Sequence, residues 1–339
     1  MKKITIHEIA KILKIDSSTV SRALQDSNRV SPKTKKRVLE KAKELGYRPN
    51  LLASNLRQNR SNTIAVVVPR ISRHFFSSTI SGIEEMAYSR GFNVLISQSL
   101  EQLKREREIV NKLFSNRVDG ILISVSMETE IGLHLNHLEQ AGLPLVFFDR
   151  HCADLVNSNK VLVDDFAGAY KAVHHLIQNN CKKIVHFSGP QTLEIYKNRL
   201  AGYKKALKDN RIAFNDELVL VSNLLQNDGM QMAQKLMNAH PDIDAIFAAN
   251  DLAAIGAMKY LKGIGKRIPQ DIALVGFSNE PISEMMEPSL TTLDQFGFQI
   301  GTISCELLLD SIQSKKEKPE NKTIVLQPEL IVRDSSKKI

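Results

Sequence analysis

Residues 5–24 read TIHEIAKILKIDSSTVSRAL, two short amphipathic helices joined by a tight turn. Thr5 can cap a first helix over Ile6–Leu13, with Ile6, Ile9, Ala10 and Leu13 on one face. Lys14-Ile15-Asp16 makes the turn. Asp16 or Ser17 caps a second helix, Ser17–Leu24, with Val20, Ala23 and Leu24 turned inward and Ser17, Ser18, Ser21 and Arg22 outward. A polar loop, Gln25–Val30, leads to a third helix that opens with Ser31 as cap and Pro32 at its first position. Val38, Ala42 and Leu45 form its core stripe, and Gly46 ends it. A bundle of this size has little core, so part of its order depends on neighbours.

Charge gives the bundle a task. Residues 1–60 carry 15 Lys/Arg against 5 Asp/Glu, which leaves 31 against 32 for residues 61–339. A basic head on a near-neutral body is the electrostatic footprint of a polyanion-binding module, most simply one for DNA. A helix fits the major groove of B-DNA, and the second helix of such a motif enters it. Arg22 can give two hydrogen bonds to a guanine edge, and Ser17 and Ser18 are short enough to meet base edges or phosphate. Lys33, Thr34 and Arg37 open the third helix, where cations and free backbone N–H groups suit phosphate.

The stretch at 5–24 and the one at 29–57, RVSPKTKKRVLEKAKELGYRPNLLASNLR, resemble the N-terminus of LacI/GalR-type transcriptional regulators. One departure is Lys14, where relatives often place Gly; a φ above zero there would cost about 1 kcal/mol. The candidate DNA-binding residues are Thr5, Ser17, Ser18, Thr19, Ser21, Arg22, Arg29, Ser31, Lys33, Thr34, Arg37, Asn50, Ala53 and Leu56. The last three lie where the resemblance implies a hinge helix. In this family two such helices of a dimer enter the minor groove and a leucine wedges between base pairs; Leu56 matches that leucine and Ala53 the small residue beside it.

After the linker, short apolar runs alternate with amphipathic helices. Strand-like runs are 63–68, 93–97, 120–124, 145–148, 160–163, 183–187, 245–248 and 272–277. Continuous apolar strands alternating with helices imply parallel sheets covered on both faces, here in two lobes. The motifs VVVPRISRHFFSSTISGIEEMAYSRGFNV, VDGILIS, PLVFFDR, NRLAGYKKAL, DAIFAANDLAAIGAMKYL, DIALVGFSN and PSLTTLDQ resemble the effector-binding core shared by LacI-type regulators and periplasmic sugar-binding proteins. The expected fold is thus an all-α helix-turn-helix head plus an α/β periplasmic-binding-protein-like core of two doubly wound parallel-sheet lobes. The expected divisions are 1–48 for the head, 49–61 for hinge helix and linker, and 62–339 for the effector-binding and dimerisation core. By resemblance the N-lobe takes about 62–160 and 294–326, and the C-lobe about 161–293 and 327–335.

Ligands on doubly wound sheets bind beyond the carboxyl ends of strands. The polar residues there are Arg70, Gln98, Ser124, Asp149, Asp164, Asn223, Asn250, Asp251 and Ser278. The resemblance adds Arg199 of the NRLAG motif and supports Asp149, Asn250 and the Ser278 position, with Phe75 and Phe296 as apolar platforms. The effector-binding candidates are Arg70, Phe75, Ser124, Asp149, Arg199, Asn250, Ser278 and Phe296. Carboxylates and amides pair with sugar hydroxyls, arginine grips two at once, and rings stack on sugar C–H faces. Relatives that bind neutral sugars commonly have Asp at the Ser278 position, and many have Asp or Asn at the Arg70 position and Asn-Pro at Arg73-His74. Fewer acids and more bases point to an anionic effector such as a uronate or sugar phosphate.

The remaining features exclude more than they add. No apolar run approaches a membrane span, and His7, Glu8 and Lys11 interrupt any signal-peptide core, so a cytoplasmic protein is expected. Cys152, Cys181 and Cys305 show no metal or disulfide spacing. No GxxxxGK[ST] loop, GxGxxG turn or GxSxG elbow appears, so no cofactor, metal or catalysis is expected. The expected partners are pseudo-palindromic operator DNA, a small sugar or sugar-acid effector and a second copy of the chain; a phosphoprotein corepressor is the alternative to a sugar. The tail beyond Arg333 has no leucine heptads, which favours a dimer over a tail-mediated tetramer.

Overall fold

The computed structural model describes residues 4–24, 26–47, 61–152, 154–155, 158–314 and 320–337. The chain divides into two compact units, Met1–Ser61 and Asn62–Ile339.

In the first unit the helices are α1 (Ile6–Leu13), α2 (Ser17–Leu24) and α3 (Pro32–Glu44). Thr5 and Glu8 form a reciprocal capping box at the start of α1. Its end needs a reversal within one residue, and Lys14 takes it in the left-handed region at φ 53°, ψ 47°, its N–H bonded to the Ala10 carbonyl. Ser31 accepts from the Thr34 N–H at 3.2 Å and caps α3. Ile9, Ala10, Val20, Ala23, Val30, Val38 and Ala42 are the buried core that joins the helices.

The second unit opens with β1 (Thr63–Val68), α4 (His74–Ser89), β2 (Asn93–Gln98), α5 (Leu103–Ser115), β3 (Gly120–Ile123), α6 (Asn136–Gln140), β4 (Leu145–Phe148) and β5 (Asn159–Val163). It continues through α7 (Asp165–Gln178), β6 (Ile184–Ser188), α8 (Glu194–Asp209), β7 (Val219–Val221), α9 (Gln226–Ala239), β8 (Ala245–Ala248), α10 (Asp251–Gly263), β9 (Ala273–Val275) and α11 (Pro281–Met285). The last elements are β10 (Thr292–Asp294), α12 (Gly297–Gln313), β11 (Thr323–Leu326) and β12 (Glu329–Ile331).

A six-stranded parallel sheet, order β11-β5-β4-β3-β1-β2, builds the N-lobe, and a four-stranded parallel sheet, order β7-β6-β8-β9, builds the C-lobe. The strand β1 is buried from Ile64 to Val68, as a central strand covered by helices on both faces must be. Helices α4 and α12 cross so closely that a Cβ on Gly82 would meet the Phe298 carbonyl oxygen and one on Gly301 the Thr79 carbonyl oxygen. Only glycine fits either position.

Three details sharpen the sequence expectation. First, β5 pairs with β11 through Val163↔Leu326, so the first N-lobe segment, expected to end at about residue 160, runs to Val163. Second, β10 and β12 form an antiparallel pair beside the parallel sheets, where the return crossings lie. Third, β7, β10, β11 and β12 span three or four residues each, too short for a periodic signal.

Candidate DNA-reading surface and interlobe cleft

On the head, Ser18, Arg22, Arg29, Lys33 and Arg37 are exposed, and Ser17, Thr19, Ser21 and Thr34 half-buried. The i,i+4 spacing stacks Ser17 over Ser21 and Ser18 over Arg22 on one side of α2. Among the described residues Arg22, Lys33 and Arg37 have no carboxylate partner, whereas Lys35 is paired with Asp26 at 2.7 Å. Two candidates serve the fold instead. The Thr5 hydroxyl belongs to the capping box, and Ser31 is held by the Thr34 N–H and lies 2.9 Å from the Thr34 hydroxyl. Asn50, Ala53 and Leu56, with the expected hinge helix, lie outside the described residues.

Within the second unit a cleft opens between the carboxyl ends of the two sheets. It holds about 620 Å3 of empty space, including the part open to solvent. Of the expected effector residues, Phe75, Asp149, Arg199, Asn250 and Ser278 line it, and so does Asn223. Arg199 is the most constrained. It is 3% exposed, donates from Nε to Asp165 Oδ1 at 2.7 Å and from Nη1 to the Ala249 carbonyl at 2.5 Å, and lies 3.7 Å over the Phe277 ring. Burial raises the Asp165 carboxyl to about 6, and Arg199 is the main opposing influence. Asn250 caps α10 through the Ala253 N–H and donates to the Leu224 carbonyl, so its amide is fixed facing the cavity wall.

Asp149 and Arg150 occupy the end of β4. Neighbours on a strand point to opposite faces, but Asp149 adopts φ 60° and the Arg150 N–H turns back to the Phe148 carbonyl at 2.7 Å. Both side chains therefore line the cavity. Burial raises the Asp149 carboxyl, against the pull of Arg150 and Arg199. Burial alone would lower the Arg150 guanidinium, but Glu101, Tyr196 and Asp149 outweigh it and raise it. Arg150 Nη1 donates to Glu101 Oε2 at 2.9 Å; its Nε is buried without a hydrogen-bond partner and 3.7 Å from Asp149 Oδ2. On the cavity wall beside the Asp149 carboxylate, this Nε is a donor that a ligand oxygen can meet.

The other expected residues fall outside the cavity. Ser124 lies behind Asp149 and donates to its Oδ2 at 3.4 Å. Arg70 is one turn too early: Arg73, just before α4, reaches the cavity in its place, with a guanidinium lowered by burial and raised in part by Glu280. Phe296 caps α12 in the left-handed region at φ 54°, which aims the preceding Gln295 into the cavity instead. Asp164 caps α7, Gln98 accepts from the Ile71 N–H, and Asp251 is buried under Thr292, Ser283 and the Glu280 N–H. The lining residues missed by the strand-end rule include Phe76, Glu101, Met127, Arg150, Tyr196 and Glu280. The PLVFFDR and HFF motifs held a usable signal for Arg150 and Phe76; Glu101 and Glu280 lie in the loops just past Gln98 and Ser278, beyond the strand ends that the rule reads.

The charge balance also changes. Arg73, Arg150 and Arg199 face Glu101, Asp149 and Glu280 on the lining, with Asp165 behind. The cleft carries no cationic surplus.

Comparison with known proteins places both units. Residues 5–50 match the family described as bacterial regulatory proteins, lacI family, and residues 61–331 match periplasmic binding proteins and sugar binding domain of LacI family. The chain belongs to the LacI family. As a LacI-family member it is a DNA-binding transcriptional regulator and not an enzyme. It is similar to the ribose operon repressor of Halalkalibacterium halodurans, 32% identical over 98% of this chain and 97% of the relative. Among solved structures it resembles the lac repressor dimer bound to operator and the anti-inducer ONPF, with a TM-score of 0.87 and 26% identity over 99% of each chain. It also resembles a LacI-family regulator from Enterococcus faecium with bound ribose, with a TM-score of 0.71 and 29% identity over 81% of this chain and 98% of that one. Among the described residues no cluster of His, Cys, Asp and Glu could hold a metal, and no helix is long and apolar enough to cross a membrane.

Proposed function

We propose that the chain represses transcription as a homodimer on a pseudo-palindromic operator and that a neutral, pentose-sized sugar in the interlobe cleft sets its affinity for DNA. The observation that carries the ligand class is the pairing inside the cleft. Arg150 is tied to Glu101 and Arg199 to Asp165, so these arginines act as oriented donors without net charge to offer an anion. Asp149, Asn223, Gln295 and the Arg150 Nε supply convergent acceptors and donors for hydroxyls, and Phe75, Phe76 and Tyr196 supply apolar faces for C–H groups. The relatives named for ribose, one by its operon and one by its bound ligand, support the same size class.

The dimer reading rests on β2. It is an edge strand with Leu95 and Ile96 exposed by 42% and 45%, an apolar edge that a monomer would leave in water. A two-fold pair of heads then matches two-fold DNA. Thermal-shift measurements with aldopentoses, hexoses, uronates and sugar phosphates test the ligand class. At a hundred times its Kd a true ligand adds about 2.7 kcal/mol, or roughly 5 °C for a core of this size. Stabilisation by an acidic sugar alone would overturn the neutral assignment.

A further inference from the structure

The geometry points to His7 as a positioning residue of the DNA-reading surface, one that fixes the direction in which the Ser17 hydroxyl meets DNA. The inference rests on the reading of α2 as the helix that meets base edges. His7 lies on α1, is exposed, and has its Nδ1 2.9 Å from Ser17 Oγ. Ser17 is the first residue of α2, beside Ser18 and one turn before Ser21. The pair bridges ten positions of sequence and joins two helices at the rim of the outward face.

The bond is not needed to hold the helices together. Ile9 and Ala10 of α1 already pack with Val20 and Ala23 of α2 in the buried core. An exposed neutral hydrogen bond adds little stability beyond such packing. Its consequence is direction. A serine hydroxyl has one proton and two lone pairs, and an imidazole nitrogen either donates or accepts. When Nδ1 accepts, the Ser17 proton is spent on His7 and only lone pairs face outward, which suit the amino groups of cytosine or adenine. When Nδ1 carries a proton, His7 donates to Ser17, and the freed hydroxyl proton can reach guanine O6 or N7, thymine O4, or a phosphate oxygen.

The test is a double-mutant cycle in the full-length protein, read by selection from random DNA and by operator affinity. The variants are His7→Phe, Ser17→Ala, the double variant and His7→Asn, whose amide reaches the Nδ1 position and can bond Ser17 through its nitrogen or its oxygen. Each of the first two should weaken binding about three- to ten-fold and relax the same base-pair position or lose the same phosphate contact. The double variant should bind no more weakly than Ser17→Ala alone, and His7→Asn should restore the preference. Independent effects of His7→Phe and Ser17→Ala, or a uniform loss over all sequences with a less stable head, would overturn the inference. If Ser17→Ala leaves both affinity and preference unchanged, Ser17 is not a DNA contact and the underlying reading fails with it.

Discussion

Replacing Arg199 by Met isolates the buried ion pair at the back of the cleft. The guanidinium and the Asp165 carboxylate are each 4% exposed and 2.7 Å apart. Removing one partner of such a pair leaves the other charge buried and costs about 3–5 kcal/mol. For a domain of this size that lowers the melting temperature by roughly 6–12 °C. The loss should depend on pH in a definite direction. Burial raises Asp165 in the folded chain to about 6 from 3.8, so its contribution is fully present below the unfolded value and is lost as pH rises through about 6. Arg199 is the largest influence holding that carboxyl down, so Arg199→Met raises it further. The gap between wild type and variant should then be small at pH 5 and widen by pH 8. Circular-dichroism melts of both proteins across this range measure it. Asp165→Asn added to Arg199→Met should recover part of the loss at pH 8. A gap that is constant with pH, or larger at pH 5, would refute the argument.

Lys14→Gly should raise the stability of the head by up to about 1 kcal/mol, because glycine takes the left-handed conformation without a Cβ penalty; a denaturant titration shows it. Arg22→Ala should relax one base-pair position by about 1–3 kcal/mol in a selection experiment. Lys33→Ala should instead weaken all sequences alike and reduce the salt slope by about one. Leu56→Ala should lower operator affinity while leaving dimerisation and ligand binding unchanged. Ile96→Glu should shift sedimentation toward monomer, since it places a charge in the apolar patch on β2.

The head was legible because each of its boundaries has a local chemical cause. Thr5 and Glu8 close the capping box of α1, Pro32 opens α3, and Lys14 sits where one residue must reverse the chain. The strands of the lobes were legible where four or more apolar residues run together, as in β1 and β8, and not in the shorter β7 and β10. The cleft was half legible. Asp149, Arg199 and Asn250 follow from strand ends and a recognisable motif. Arg150 escaped because the alternation of a strand predicts the wrong face, and only the positive φ of Asp149 reverses it. Arg73 and Arg70 are three residues apart and chemically identical, so their choice depends on where α4 starts. The anionic effector was inferred from lost acids at the Arg70 and Ser278 positions; Glu101 and Glu280, outside the strand ends read for ligands, bring carboxylates to the same lining.

Operator affinity with and without a cleft ligand tests the central claim most directly. The operator would come from selection of random DNA by the full-length protein, and the ligand from the thermal-shift series. The expected outcome is a two-fold symmetric operator and a neutral pentose-sized sugar that both stabilises the core and changes operator Kd by about 5- to 150-fold, the range of a 1–3 kcal/mol coupling. Arg199→Met should abolish the change. A sugar that stabilises the core yet leaves operator Kd unmoved would contradict it.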